Sequence, residues 1–252
     1  MRNFTVQVAL LILLAVLIAV PARAQQFNSD SYLSKTHGMA TLILTYGERN
    51  TMLMNTFSLL PRWEFTVSAY LYNDDNNRAT DDGYSQSLYA KYMFYENEAK
   101  TGGFAVKFGT GLDPGYMDAE NRLNDAFKSY WMNAPATVPF FDNKLSWDIM
   151  PGASVTTNFG AEGDEAWVFT YATRLAWYPV SPTWSLVGEI VGAEGDGTAP
   201  PEWRAGLRWE PSQYAVFALT YDEEFEGGTT GAGWEIGMML FTPPFFGIGM
   251  PK

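Results

Sequence analysis

The chain has 252 residues, with 28 acidic against 16 basic side chains and no cysteine. The formal net charge of −12 excludes an electrostatic affinity for nucleic acid, and the absence of thiols excludes a disulfide framework and a lipid-modified cysteine. Aromatic residues make up 16% of the chain, which is typical of a protein at an interface between apolar and aqueous surroundings.

The N-terminal 24 residues have the pattern of a secretory signal peptide. Arg2 is followed by an apolar run at 8–20 and then by the small-residue site Ala22-Arg23-Ala24. The run is short for a transmembrane helix, which needs about 20 apolar residues. We predict cleavage after Ala24, with 25–37 as a periplasmic N-terminal segment; the alternative is an uncleaved anchor. No later run is long enough for a helical span, so further membrane insertion must be through strands.

Alternating apolar and polar residues then predict a series of β-strands. In chain order these are Gly38–Tyr46, Thr51–Leu60, Arg62–Tyr72, Tyr84–Tyr95, Gly103–Thr110, Lys144–Thr157, Ala166–Tyr178, Thr183–Gly192, Glu202–Glu210, Gln213–Tyr221 and Gly233–Phe241. Bacterial single-chain barrels have an even number of strands. The connection 111–143 can hold a twelfth at Asp125–Asn133, with Phe127, Ser129 and Trp131 on one side. We predict an all-β, antiparallel up-and-down barrel of twelve strands over 38–242 (ten being the alternative) and a C-terminal tail at 243–252.

The stretch from Trp167 to Trp177 indicates that this barrel crosses a membrane. Large side chains occupy every second position, and the residues between them are small or polar and include Arg174. The two tryptophans are ten residues apart, which is about 24 Å along the axis of a barrel with strands tilted by about 40–45°. The apolar band of an outer-membrane barrel is about 25 Å tall and has aromatic residues at both edges.

The connections between strands alternate in length, which predicts the orientation of the barrel in the membrane. Leu60–Arg62, Tyr178–Thr183 and Glu210–Ser212 are tight, contain proline and are assigned to the periplasmic side. The longer acidic connections are assigned to the outside: they are Asn73–Gly83, Asn158–Glu165, Ala193–Pro201 and Asp222–Ala232. Gly47–Asn50 is a short exception. Twelve strands place both ends of the barrel on the periplasmic side.

Tryptophan placement indicates which face of the strands meets lipid. Eight of the nine tryptophans fall on apolar faces near strand ends, whereas a soluble barrel would bury them in mid-strand. The predicted girdle consists of Trp63, Trp147, Trp177, Trp184 and Trp209 near the short turns and Trp167, Trp203 and Trp234 near the long loops. We therefore favour a lipid-facing apolar surface over a soluble periplasmic barrel.

The opposite faces carry charges that must line the lumen, because Lys or Arg facing mid-bilayer lipid costs about 2–4 kcal/mol. They are Glu64, Lys91, Lys107, Asp148, Arg174, Glu189, Arg204, Arg208 and Glu235. Counting from the basal tryptophans places Glu189 level with Arg204, on the strand between those of Arg174 and Arg204. Because neighbouring strands are about 4.8 Å apart, we predict that Glu189 contacts Arg204, Arg174 or both.

Candidate catalytic or metal-binding residues are few. His37 is the only histidine and has no motif partner, so neither a hydrolase site nor a zinc site is predicted. Residues 73–77 lack the spacing of a calcium loop. The acidic clusters at 162–165 and 222–226 are predicted to be solvated; the alternative is a vestibule that attracts cations or binds divalent ions beside lipopolysaccharide. We predict no enzyme activity and no cofactor.

Three stretches, 145–152, Pro201–Pro211 and Met239–Phe245, resemble outer-membrane proteins of the meta-pathway phenol-degradation, transporter-like family. The resemblance covers roughly the C-terminal half. It implies a barrel that passes small, often aromatic or hydrophobic, compounds, and it implies no catalytic residue. Many outer-membrane barrels end at an aromatic residue of the last strand, whereas here Pro243–Lys252 follows and Phe241 falls on the lumen phase.

These features predict a passive channel or uptake pore for small molecules in the outer membrane of a Gram-negative bacterium. Outer-membrane lipid and lipopolysaccharide are the expected partners, and nucleic acid is not one. The alternative is a plugged barrel with a structural, adhesive or binding role and no conductance. If a pore exists, its acidic loops predict a mild cation preference. The sequence leaves the solute and the oligomeric state open.

Overall fold

Thirteen strands account for most of the described residues in the computed structural model. The structure describes residues 31, 37–48, 50–72, 83–111, 129–159, 164–195, 200–225 and 233–245. The predicted signal peptide, most of the N-terminal segment and the centres of most long connections lie outside these ranges. Among the described residues, no helix is long and apolar enough to cross a membrane.

All strand pairs are antiparallel, and their bounds follow the predicted ones closely. The strands are β1 (Ala40–Gly47), β2 (Asn50–Leu60), β3 (Trp63–Tyr72), β4 (Gly83–Glu96), β5 (Gly103–Gly111), β6 (Ser129–Asn133), β7 (Ala136–Phe140), β8 (Leu145–Phe159), β9 (Asp164–Trp177), β10 (Trp184–Gly195), β11 (Glu202–Ser212), β12 (Ala215–Glu224) and β13 (Gly233–Phe241).

The sheet closes into a barrel with twelve strand positions, as predicted. β1 pairs with both β2 and β13, and the remaining strands pair in chain order around the ring. β6 and β7 together fill one position, because both pair with β5 on one side and with β8 on the other. The up-and-down order of a twelve-stranded transmembrane barrel is therefore present, with β6 and β7 as two halves of one strand.

The interruption between β6 and β7 falls at Ala134 and Pro135, since proline cannot donate to the ladder. The wall stays bonded there: Ala134 N–H donates to the carbonyl of Pro151 (2.8 Å), and Ala105 N–H donates to that of Pro135 (2.9 Å). The predicted strand Asp125–Asn133 is correct from Ser129 onward, the residues before it being outside the described ranges. The prediction misses β7, because its short, Pro-containing sequence resembles a loop.

Two predicted boundaries on the neighbouring strands β11 and β12 are wrong. β11 continues through Pro211 to Ser212, whereas the sequence predicts a turn at 210–212. A register shift between Trp209 and Ser212 accommodates the proline, since a bulge does not require its missing N–H. β12 continues to Glu224, so Asp222 belongs to the wall and not to the external loop.

The two faces of the wall have opposite chemistry. Outward apolar side chains such as Leu88 (50% exposed) and Ile236 (62%) are accessible, whereas inward charged ones such as Lys107 (1%) and Glu189 (3%) are buried. A water-soluble protein buries the first kind and exposes the second. This inside-out distribution is stable only where the outer face meets lipid, so the barrel is a transmembrane one.

Candidate functional site in the barrel interior

The interior is the candidate functional site, and the structure places all nine predicted lumen residues in it. They are buried and lie on the strand phase opposite to the exposed apolar side chains. They are Glu64 on β3, Lys91 on β4, Lys107 on β5, Asp148 on β8, Arg174 on β9, Glu189 on β10, Arg204 and Arg208 on β11, and Glu235 on β13.

A row of alternating charges runs across five adjacent strands. In the register of the sheet Asp148 lies opposite Arg174, and Arg174 lies opposite Glu189. Glu189 in turn lies opposite Arg204, which lies opposite Asp222. The row, which we call the charge ladder, thus reads minus, plus, minus, plus, minus from β8 to β12. The predicted register of Glu189 between the two arginines is the observed one.

Short contacts hold both ends of the charge ladder. Nε and Nη2 of Arg174 donate to Oδ2 of Asp148 at 2.9 and 2.6 Å. The other carboxylate oxygen of Asp148 accepts from the hydroxyl of Thr137 on β7. Arg204 bridges Asp222 (3.4 Å) and Glu235 (3.3 Å) and also interacts electrostatically with Glu189. Such pairing is required because an uncompensated charge is costly away from bulk water.

A second charged group lies near the short-turn, or basal, end of the barrel. Arg208 Nε lies 2.9 Å from Oε1 of Glu210, and the same oxygen accepts a 2.8 Å hydrogen bond from the hydroxyl of Tyr178. Arg208 also donates to that hydroxyl. Burial raises the pKa of Tyr178, which follows β9, so the phenol stays neutral. This group ties the turn after β9 to β11.

A third group combines lysines with aromatic rings. Lys91 Nζ lies 2.6 Å from Glu64 Oε2, and Lys91 lies directly opposite Lys107 on β5. Lys107 Nζ is 5.3 Å from the ring centroid of Tyr89 and 5.5 Å from that of Trp131. Both rings therefore lie within cation–π distance of a buried ammonium group.

The interior also contains an apolar cluster that the sequence does not predict. Its buried members are Ile43, Met54, Tyr89, Trp131, Val216, Met239 and Phe241. Phe241 is on the inward phase, as the register predicts. Alternation predicts that the inner face of a barrel is polar. It therefore does not predict a cluster of apolar side chains on that face. The interior thus contains, beside its charged groups, an apolar cluster whose members lie on β1, β2, β4, β6, β12 and β13.

The sequence predicts solvent or turn positions for several acidic residues that the structure buries. Asp222 and Glu224 belong to a predicted solvated cluster, yet both are buried on the inward phase of β12. Glu210 belongs to a predicted turn and is also buried on β11. The local sequence around a charged residue at a strand end does not show whether the strand continues past it. Only the alternation of inward and outward residues could have indicated that these acids face the interior. The described part of the cluster at 162–165 includes exposed Glu165, which agrees with solvation.

The eight predicted girdle tryptophans all lie on the outward phase at strand ends. They are Trp63, Trp147, Trp177, Trp184 and Trp209 at the basal end and Trp167, Trp203 and Trp234 at the other end. Trp184 and Trp209 lie opposite each other and stack with ring centroids 5.7 Å apart. Trp131 alone faces inward.

His37 lies against the end of a neighbouring strand, apart from the charged groups of the interior. His37 Nε2 is 3.0 Å from the backbone carbonyl of Leu59, which fixes the residue before β1 to the end of β2. No group of three or more His, Asp or Glu side chains there is arranged to hold a metal ion. The segment 73–77 lies outside the described residues.

Comparison with known structures identifies the fold. No family model and no curated protein matches the chain. The COG4313 outer membrane channel from Pseudomonas putida F1 is similar, with a TM-score of 0.55, 15% identity, and coverage of 84% of this chain and 98% of that one. The NanC porin gives a TM-score of 0.58 at 10% identity, and the KdgM porin gives 0.55 at 7%; each comparison covers 80% of this chain and 98% of the other. The chain has the fold of outer-membrane β-barrels.

Proposed function

We propose that the protein is a passive channel or uptake pore for small molecules in a bacterial outer membrane, reached through the periplasm after signal-peptide cleavage. The observation that carries the proposal is the polar interior of a closed barrel with an apolar exterior. Buried charged side chains face inward from nine of the described strands. Similar structures named as channels and porins support the same function.

The interior also supports a solute class. Its apolar cluster runs from Phe241 and Met239 on β13 to Tyr89 and Trp131 on β4 and β6. An apolar or aromatic molecule loses its hydration shell at little free-energy cost against such a surface, whereas the dehydration of an ion there is costly. We therefore extend the proposal to small compounds with aromatic or hydrophobic parts, in agreement with the sequence resemblance.

A plugged barrel with a structural, adhesive or binding role is the second candidate function. It is favoured by the burial of every predicted lumen charge, including Lys107 at 1% and Arg174 at 3% exposure. A wide aqueous pore would leave such side chains in contact with water. The charge ladder would then serve to stiffen the wall. Neither candidate function assigns a catalytic role to any residue.

Conductance of the purified, folded protein in planar lipid bilayers separates the two candidates. Folding is checked first by heat-modifiable mobility in gel electrophoresis. A channel gives discrete conductance steps and, in liposomes, faster uptake of an aromatic solute that crosses protein-free bilayers slowly, such as phenyl glucoside, than protein-free liposomes show. A folded, heat-modifiable barrel that shows neither conductance nor solute flux would remove the channel and retain the plugged barrel.

A further inference from the structure

The outer face of β10 has a notch at Gly188, between the larger side chains of Leu186 (44% exposed) and Ile190 (39%). A Cβ atom placed on Gly188 would meet no atom of the described chain within 4 Å. Gly192 lies on the same face of the same strand and differs, because the ring of Tyr171 lies 2.5–3.1 Å from the place of its Cβ atom. The notch at Gly188 is therefore open to whatever surrounds the barrel.

This notch belongs to an apolar groove of about 550 Å³ on the outer wall. In the register of the sheet, Leu175 on β9 and Ala205 on β11 lie opposite Gly188 on its two sides. One row nearer the basal end, Trp177 lies opposite Leu186. All five residues line the groove. Because Gly188 has no side chain, its backbone forms part of the floor, and the larger side chains form the walls.

The sheet itself does not require glycine at position 188. A glycine inside a strand weakens it and often marks a bulge, a tight bend or the close approach of a ligand or another chain. The pairings of β10 with β9 and with β11 run through Gly188 without a register shift. Its φ is not positive either. A bulge and a bend are thus excluded, which leaves an occupant from outside the described chain.

The turn between β7 and β8 adds a strained wall to the groove. Phe141, Asp142 and Asn143 have φ angles of 50°, 54° and 67°, a left-handed conformation that bulky residues rarely adopt. Lys144 N–H donates to the carbonyl of Phe141 (3.1 Å) and closes the turn. Phe141 is 75% exposed and lines the groove. Strained backbone clusters where ligands are held, and here it keeps an exposed aromatic ring beside the groove.

The groove extends from the level of the basal tryptophans toward the middle of the bilayer. Gly188 lies four residues from Trp184, which is about 10 Å along the axis for strands tilted by about 40–45°. Half of the apolar band of an outer-membrane barrel is about 12 Å. The groove therefore lies within one leaflet, with Trp177 toward the headgroups and Gly188 toward the centre. An acyl chain that begins at the interface follows the same path.

We infer that the groove at Gly188 and Ala205 is a binding site for one acyl chain of a phospholipid. The occupant is a lipid because the groove is continuous with the outer face that meets the bilayer. It is a phospholipid because the basal end is the predicted periplasmic side, where the leaflet of an outer membrane consists of phospholipid. This site is independent of whether the barrel conducts.

Dispersion contacts retain the chain in the groove. A lipid tail gains no hydrophobic stabilisation by leaving other lipid tails, so the binding free energy must come from close packing. Leu175, Trp177 and Leu186 supply walls on rigid strands, and Gly188 lets the chain approach the backbone. A flat part of the outer face offers contact on one side of a chain only.

A second copy of the protein fits the groove less well than a lipid does. A two-fold dimer places the same surface on both partners, so two concave grooves would face each other and leave their space unfilled. A stable protein interface also buries about 800 Å² on each partner, whereas the groove is a depression across β9 to β11. A flexible chain of methylene groups fills such a depression without a protruding counterpart.

The test is native mass spectrometry of the folded, detergent-solubilised barrel titrated with palmitoyl-oleoyl phosphatidylethanolamine, because one spectrum counts both lipids and protein copies. One lipid should bind ahead of the others. Dihexanoyl phosphatidylethanolamine keeps the headgroup and loses most of each chain, so it should bind about fivefold or more weakly at this first site. Equal affinities for the two lipids, or no site that fills ahead of the others, would overturn the inference.

Two variants fill the groove with a side chain that suits the outer face. Ala205→Leu and Gly188→Leu should each weaken binding of the first lipid about fivefold or more. Ala69→Leu, on the exposed outer face of β3, is the matched control and should bind the lipid as the parent does. Either groove variant serves alone if the other does not fold. Parent-like affinity in the folded groove variants overturns the site, and so does an equal loss in Ala69→Leu.

A phospholipid with a diazirine near the middle of one acyl chain locates the site in liposomes. Irradiation should label residues around Trp177 and Ala205 in preference to the outer face of β3, as mapped by proteolysis and mass spectrometry. Labels spread evenly over the outer face would show only general contact with the bilayer and overturn the inference. A lipid-free dimer that becomes monomeric in both groove variants would assign the groove to a second copy, with the same consequence.

Discussion

Glu189 lies directly opposite Arg204 across β10 and β11, and directly opposite Arg174 across β10 and β9. One carboxylate thus stands between two guanidinium groups, and the alternation continues to Asp148 and Asp222. A strand slipped by one residue would turn these charges toward lipid, and a slip by two would break their pairing. The charge ladder therefore specifies the register of five neighbouring strands.

Removing one member of the charge ladder should destabilise the barrel strongly. Arg174→Met leaves Asp148 buried without its 2.6 Å partner, so the free energy of unfolding should fall by about 3–5 kcal/mol. Urea unfolding in lipid vesicles, followed by tryptophan fluorescence, measures the change. Lys144→Met, at an exposed turn position, is the control and should leave the midpoint unchanged.

The double variant Arg174→Met/Asp148→Asn tests whether the two residues act as a pair. It should be more stable than the sum of the single effects predicts, with a coupling energy of about 0.5–3 kcal/mol. Strictly additive losses would show that the two side chains contribute independently, and the charge ladder would then not be a unit.

Gly109→Ala should disturb the interior, whereas Gly188→Ala should not. The added methyl at position 109 would meet Leu88 O at 2.6 Å and the side chains of Tyr89 and Trp131 at shorter than normal contact distances. Overpacking of this kind costs about 1–3 kcal/mol. A Cβ atom at Gly188, on the exposed outer face of β10, meets nothing within 4 Å. Unfolding midpoints of the two alanine variants give the comparison, and equal midpoints would contradict the crowding at Gly109.

Much of the fold follows from the sequence because a two-residue period carries two kinds of information. It marks the strands and, together with the tryptophans at their ends, it indicates which face meets lipid. Counting from Trp184 and Trp209 is enough to place Glu189 opposite Arg204, since these tryptophans are themselves cross-strand partners. The same alternation predicts that the nine lumen residues face inward and that the girdle tryptophans face outward.

The parts of the fold that the sequence does not predict depend on geometry that alternation does not encode. A proline-containing segment such as Ala136–Phe140 has the composition of a loop, and its pairing appears only when β5 and β8 flank it. Similarly, the inward phase of Trp131 gives no indication that its ring meets Tyr89, which lies two strands away. That contact requires Gly109 between them. The sequence does not predict the apolar interior cluster for the same reason.

A charge placed on the outer face should be costly in proportion to its depth. Leu207 is 47% exposed near the middle of β11, so Leu207→Arg should lower the free energy of unfolding by about 2–4 kcal/mol. Val180 lies in the turn between β9 and β10 and is 93% exposed; Val180→Arg should have little effect. Refolding into lipid vesicles under identical conditions measures both. Similar losses for the two variants would mean that Leu207 does not face the bilayer core.

If the barrel conducts, it should prefer cations at low salt. The buried inward-facing charges of the described strands comprise five cations and seven carboxylates. The reversal potential across a potassium chloride gradient should indicate cation preference near 0.1 M salt, where the screening length is about 10 Å, and less preference near 1 M, where it is about 3 Å. Anion preference at low salt would contradict this prediction.

Glu235 is the residue with which to probe that preference. It lies on β13 toward the long-loop end and shares Arg204 with Asp222. Glu235→Gln removes one negative charge and leaves Arg204 less compensated, so the reversal potential should shift toward anions at about 0.1 M salt. Glu235→Asp keeps the charge and should retain the parent selectivity. A shift of equal size in both variants would show that the shape of the side chain, and not its charge, determines which ions enter this part of the interior.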